Sequence, residues 1–379
     1  MLNRLFGGRR PGRRDAERRG TMKAAIARHG RIICDEIPDL VPAQGQVLVR
    51  TLACGICGSD LHALHHADNV ARLYRAVGVE NPLDPTRDVV FGHEFCGEIL
   101  EHGPDTPTRL KPGTRVVSVP RLIDRTGTHM IGFSNAFPGG YAERMVLTES
   151  QLLEVPNRLP SHLAAMTEPL AVGEHAVGVA DLAGAAGALV VGCGPVGLAV
   201  IAALKSRGFG PVIAADFADG RRRTAERLGA DVIINPAATS PHASWAAYGI
   251  PRTQSARLKA MTDGTLRGRP VIFECVGVSG VLQRLIAEAP VGAQILVVGI
   301  CVEADWIEPS LALAKELDFR FCYAYSPQEF ATTLRNVAEG KLAADIFVTA
   351  RIGLQAVPAA FNSLAHPGDD VKIMIEPGR

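Results

Sequence analysis

Apolar and polar positions along this chain fall into two rhythms. From Met22 to about Val155, short apolar runs alternate with Gly and Pro. The runs are Gln46 to Leu52, Phe95 to Leu100, Arg115 to Val119 and Tyr141 to Leu147. That pattern predicts strands joined by turns. From Gly187 to Gly299 strand-like and helix-like stretches take turns. Ala188 to Val191 reads as a buried strand, Pro195 to Ser206 as a helix, Val212 to Ala215 as a strand and Arg222 to Leu228 as a helix. Further strands are predicted at Val232 to Ile234, Val271 to Phe273 and Gln294 to Val298. Such alternation implies a doubly wound parallel sheet, so the fold class is α/β with a β-rich companion. After about Leu317 the elements are shorter and mixed. Residues Pro236 to Thr253, rich in Ala, Ser and Pro, read as an irregular insertion. Ala63 to Asp88 reads as a loop or short helix able to lie over a site.

Composition adds bounds. A length of 379 residues suggests two domains, and 47% hydrophobic against 21% charged residues is ordinary globular balance. A net charge of +1 and 5% aromatics give no reason to expect a nucleic-acid partner. No window is long and apolar enough for a membrane span. The eight cysteines are scattered without a preceding export signal, which reads as reduced thiols or metal ligands in a cytoplasmic protein. The first 21 residues stand apart: Arg4, Arg9, Arg10, Arg13, Arg14, Arg18 and Arg19 sit among Gly and Pro, with little to bury. They are expected to be disordered. A nucleic-acid arm and a targeting peptide compete there with a solvated tail or an upstream start, Met22 being the true one.

Gly192-Cys193-Gly194-Pro195-Val196-Gly197 follows the strand Leu189-Val190-Val191 and opens an apolar helix. In that setting GxGxxG is a dinucleotide loop. Gly192 makes the turn, Gly194 lets backbone approach the pyrophosphate, and Gly197 lets helix and strand pack closely. Asp216 ends the second strand, where an acid binds the ribose hydroxyls and favours NAD over NADP. Arg221, Arg222 and Arg223 follow shortly; they are read as a solvated helix face, with acceptance of a 2′-phosphate by one of them as the alternative.

A second cluster spans the segment Ala63 to Asp88: Cys54, Cys57, Ser59, Asp60 and His62 before it, His93 and Glu94 after it. Thiolate and imidazole are favoured zinc ligands, and a catalytic zinc needs three protein ligands with one position open. Cys57 and His93 are natural ligands; Glu94 and Glu168 are both candidates for the carboxylate, and Glu94 equally for a supporting role. Ser59 and His62 are placed to pass a proton to solvent. His65, His66 and His102 read as surface histidines.

Taken together these residues resemble the zinc-dependent alcohol and polyol branch of the medium-chain dehydrogenase/reductase superfamily. The resemblance runs from Met22 to the end of the chain. It rests on Gly55-Ile56-Cys57-Gly58-Ser59-Asp60-Leu61-His62, Gly92-His93-Glu94, Pro138 to Glu143, Glu168 to Gly173 and the glycine loop. It implies a GroES-like β-barrel catalytic domain over 22–171, a Rossmann domain over 172–317 and a return to the catalytic domain over 318–379. It implies that Cys57 and His93 bind catalytic zinc, that Glu168 stands at the third ligand position, and that Glu94 sits behind the metal. Cys54 is read as packing. Cys275 and Val276, with Val298 and Gly299, match turns that border the cofactor. Many members carry four cysteines for a structural zinc, but Ser118 to Pro138 holds none here, so one zinc per chain is expected. Phe133-Ser134-Asn135 in that stretch is a candidate to reach the substrate cleft.

The resulting expectation is oxidation of a small alcohol or polyol, with zinc as Lewis acid, NAD as hydride acceptor and Ser59 and His62 as the proton path. A homodimer or homotetramer is implied by the resemblance alone. Two alternatives stay open: a zinc-free NAD(P)H-dependent enone or quinone reductase on the same fold, and a non-catalytic nucleotide sensor. Neither explains why Cys57, His93 and Glu168 should occur together.

Overall fold

The computed structural model describes residues 20–156, 158–365 and 368–379. The arginine-rich stretch Arg4 to Arg19 lies outside the described residues. Strands β1 (Thr21–Arg28) and β2 (Arg31–Pro38) form an antiparallel hairpin. Next come β3 (Gln46–Gly55), helices α1 (Gly58–His65) and α2 (Ala67–Ala76), β4 (Glu94–His102) and β5 (Arg115–Ser118). A second hairpin, β6 (Arg121–Asp124) and β7 (Gly127–Met130), precedes β8 (Arg144–Thr148) and β9 (Leu152–Glu154).

Helix α3 (Thr167–Val179) leads into the second half of the fold. Its strands are β10 (Ala185–Val191), β11 (Val212–Ala215), β12 (Val232–Ile234), β13 (Arg269–Glu274), β14 (Gln294–Val297) and β15 (Asp318–Phe321). They pair in the order β12-β11-β10-β13-β14-β15, every pair parallel. Helices α4 (Pro195–Ser206), α5 (Asp219–Arg227) and α6 (Val281–Glu288) connect the strands. The chain then returns through helix α7 (Pro327–Ala338), β16 (Val348–Ile352) and β17 (Lys372–Ile375).

β17 does not extend the parallel sheet. It pairs antiparallel with β3, Ile375 opposite Cys54 and Met374 opposite Gly55, and completes the seven-stranded first sheet. β3 is therefore flanked by β17, β4 and β8, and nearly all of its ten residues are buried. In the parallel sheet β10 is central, and its Gly187 to Val190 are all buried, as covering on both faces demands. Helix α4 is apolar all round and buried from Gly197 to Leu204, wedged between that sheet and α3. Helix α3 carries Glu168 and α4 opens at the glycine loop, so one packed helix pair positions residues of both chemistries.

The predicted strands and helices are present with shifted ends. Helix α5 starts at Asp219, three residues before the predicted Arg222, since Asp219 supplies a favourable acid in the first turn. Tyr141 to Leu147 shortens to Arg144–Thr148, because Ala142 instead bridges Ala24. The insertion Pro236 to Thr253 contains a 3-10 helix, Pro241–Tyr248, pinned by the fully buried Trp245. The 63–88 segment holds α2 and the end of α1. Among the described residues no helix is long and apolar enough to cross a membrane.

Candidate active site

A cleft of about 1020 Å3 runs between the two sheets and is lined from both. On the first-sheet side Cys57 caps the start of α1. Its backbone N–H donates to Asp60 Oδ2 at 3.0 Å, one turn further on. His93 and Glu94 come from the turn into β4, the strand beside β3. The ligand atoms of Cys57, His93 and Glu94 all lie within 4.8 Å of one another. Thiol, imidazole and carboxylate at that spacing are a zinc-type donor set. An orphan atom supports the same fit: buried His93 Nδ1 has no hydrogen-bond partner. Asp60 Oδ1 stands 3.3 Å from it, close enough for attraction but unaligned. Burial alone would lower the imidazole's pKa, yet Asp60 and then Cys57 raise it well above the usual histidine range.

Asp60 is fully buried and also accepts the Tyr141 hydroxyl at 2.6 Å. It holds the Cys57 backbone and faces His93 Nδ1 at 3.3 Å, a place the sequence did not single out for it. The signal was its place at the third helical position, where an acid reaches back to the residue that caps the helix. Two further partners were missed. Lys372 on β17 donates to Glu94 Oε1 and Oε2 at 2.6 and 2.7 Å and to the Ile56 carbonyl at 2.9 Å. Tyr325 donates to Glu168 Oε1 at 2.7 Å. Glu168 lines the same cleft but stands outside the three-residue group. Burial pushes its carboxyl up to about 7.

Ser59 Oγ lies 3.4 Å from His93 Nε2, and Ser59 and His62 both line the cleft. Burial, and after it His66 and His65, lower the His62 pKa. His65 is exposed, whereas His66 and His102 are half-buried and not the plain surface residues expected. Cys54 is fully buried in the core, as packing requires. Of Phe133-Ser134-Asn135, only Phe133 lines the cleft. Ser134 accepts from the backbone of Ala136 and Phe137, and Asn135 donates to carbonyls of Asp84, Arg87 and Asp88.

On the parallel-sheet side, Gly192, Gly194, Pro195 and Val196 line the cleft at the mouth of α4. Gly192 has φ +90, and a side chain at Gly197 would collide with the Gly192 carbonyl, so both positions require glycine. Asp216 is buried; its Oδ2 accepts from Cys193 N at 2.7 Å and its Oδ1 from Ala218 N at 2.8 Å. Arg223 is exposed and pairs with Asp219, and Arg222 donates to the carbonyls of Asp216 and Phe217. Arg221 corrects the reading of a solvated face: it is half-buried, lines the cleft and leaves a buried Nε unpartnered. Cys275, Val276, Val298 and Gly299 also line the cleft. Their turns are tied together by Glu274: its carboxylate accepts from Val276 N and Gly277 N at 2.7 and 2.9 Å, and its carbonyl accepts from Val298 N and Gly299 N, each at 2.9 Å.

Comparison with known proteins agrees with this geometry. The alcohol dehydrogenase GroES-like domain matches residues 43–157, and the zinc-binding dehydrogenase domain matches residues 195–339. An (R,R)-butanediol dehydrogenase of Bacillus subtilis is 32% identical over 343 residues, covering 88% of this chain and 93% of that protein. A sorbitol dehydrogenase of Gallus gallus is 28% identical, covering 94% and 96%. A zinc-binding dehydrogenase structure from Sinorhizobium meliloti 1021 with NADP bound superposes with TM-score 0.74 at 25% identity, covering 94% and 100%. The chain belongs to the zinc-dependent medium-chain alcohol and polyol dehydrogenases, oxidoreductases that act on CH–OH groups with a nicotinamide cofactor.

Proposed function

We propose that the protein is an NAD-dependent dehydrogenase that oxidises a secondary alcohol or polyol carbinol, with one zinc per chain. The observation that carries this reading is that Cys57, His93 and two carboxylates share one cleft with the glycine loop. Cys57, His93 and Glu168 would hold the metal, because Lys372 ties up both oxygens of Glu94 and leaves it in support. Zinc, when bound there, supplies Lewis acidity that lowers the pKa of a hydroxyl held against it. The glycine loop and Asp216 would hold NAD, which would supply the hydride acceptor, so that alcohol and NAD balance with carbonyl compound, NADH and a proton.

The residues of the chain orient and relay. Asp60 holds the Cys57 backbone and places its charge beside His93, and Tyr325 orients Glu168. Ser59 takes the hydroxyl proton at Oγ and passes it toward His62, which burial keeps neutral and able to accept it. The first-sheet domain over 22–171 and the chain beyond β15 supply these groups; the parallel-sheet domain supplies the cofactor loop and runs on past the expected boundary at 317, through β15 to Phe321. Asp216 supports NAD over NADP, since its carboxylate repels a 2′-phosphate. One zinc is supported by the cysteine-free hairpin, where His129 is bonded to Asp124 and Thr126. All eight cysteines are free, in keeping with a cytoplasmic protein. A homo-oligomer is supported by edge strand β15, where Phe321 is 74% exposed.

Zinc content per chain, measured with NADH binding on the same sample, tests the reading. About one zinc with NADH bound supports it, and Cys57→Ser should lose metal and activity together. Metal-free protein that still binds NADH overturns the zinc assignment.

A further inference from the structure

The cysteine-free stretch builds one wall of the substrate side of the cleft, and builds it from carbon. The Phe133 ring lies 5.2 Å from that of His93 and 6.1 Å, edge-on, from that of Tyr74. Met130 and Val119 line the same side, with Val77 and Val79 from the end of α2 onward. The polar groups of the two wall segments are satisfied by each other. Thr128 N donates to Glu80 Oε2 at 2.5 Å, and Asn81 Nδ2 donates to the Thr128 carbonyl at 3.1 Å. Asp84 N donates to Asn135 Oδ1 at 2.8 Å. Among the described residues lining this side, the charged or titratable groups outside Cys57, His93, Glu94, Glu168 and the tyrosines are His62 and Arg121, and Arg121 is exposed.

We infer that the substrate carries an apolar substituent of aryl or branched-alkyl size beside its carbinol carbon, and that long polyols are poor substrates. The inference rests on the dehydrogenase reading above. The spectator hydroxyls of a polyol would leave water for a wall with few partners to offer, chiefly the Tyr74 and Tyr323 hydroxyls and exposed Arg121. An aryl group would exchange water for Phe133 and the Met130 thioether, a favourable transfer. Against such walls one methylene changes kcat/KM by about 10–200-fold.

The probes are 1-(4-fluorophenyl)ethanol and sorbitol on zinc-loaded protein. Fluorine NMR with NADH reads binding of the aryl alcohol without turnover, and initial rates with NAD read oxidation of both. Binding with kcat/KM at least tenfold above that for sorbitol supports both readings. Binding without oxidation supports the apolar site and overturns the dehydrogenase. No binding while sorbitol is oxidised overturns the inference alone, and no binding and no oxidation of either overturns both. Val79→Asn should weaken aryl binding at least tenfold while NADH affinity stays unchanged, and Val79→Ile should retain it. Unchanged aryl binding in Val79→Asn overturns the assigned wall.

Discussion

The Lys372 ammonium sits 2.6 and 2.7 Å from the two carboxylate oxygens of Glu94, and both side chains are buried from solvent. Burial alone would lower the lysine's pKa, but Glu94 and then Cys57 raise it above the ordinary range. Removing one partner strands the other charge. Lys372→Met is expected to cost about 3–5 kcal/mol in urea unfolding, and the double variant with Glu94→Leu to recover much of that. An additive double variant would show that the two charges are not coupled.

On the proposed zinc reading, Asp60 would act on the metal through other residues. It holds the Cys57 backbone and stands beside His93 Nδ1. Asp60→Asn is expected to lower zinc affinity about 10–100-fold, read by chelator competition. The same affinity in both proteins would remove Asp60 from the support of the site.

On the proposed NAD reading, Asp216 and Arg221 would make opposed demands on the cofactor. Asp216→Ser is expected to tighten NADPH binding at least tenfold relative to NADH, measured by fluorescence titration. Arg221→Ala in that background should abolish the gain. If Asp216→Ser keeps the original preference, cofactor choice resides elsewhere.

His242 is 2% exposed, and its Nδ1 accepts from the Trp245 indole at 3.3 Å. Burial lowers its pKa to about 4 from 6.5, outweighing the opposing pull of Glu288. The unfolded chain therefore takes up a proton near pH 6.5 and the folded chain only near 4. The contribution to stability is whole above pH 6.5, is lost as pH falls toward 4, and amounts to about 3 kcal/mol. Urea unfolding at several pH values should show His242→Gln losing less stability than the parent over that window. Parallel curves would refute the assignment.

What the sequence disclosed depended on distance along the chain. Cys57, Ser59 and His62 are spaced on one short helix, and the glycine loop is contiguous, so local spacing announced both. The parallel sheet was readable because its buried strands are apolar throughout and its helices intervene. Lys372 left only a faint mark, one lysine inside Val371 to Ile375, with a partner 278 residues earlier. The hairpin of β6 and β7 was unread because its strands are four residues each and carry little periodicity. Arg221 was misjudged for a similar reason, since three consecutive arginines give no hint of which one turns inward.

The route of β17 also bears on how the protein is made. The last strand returns to Cys54 and Gly55 only after the whole nucleotide domain has been translated. A chain cut before Lys372 would keep its glycine loop, Cys57 and His93, yet lack β17. Such a product would fold its nucleotide half as a unit. Its first sheet would keep an open edge at the Cys54–Gly55 end of β3, a template for aggregation. Closure of the first sheet therefore turns on Lys372 to Ile375, far from any motif.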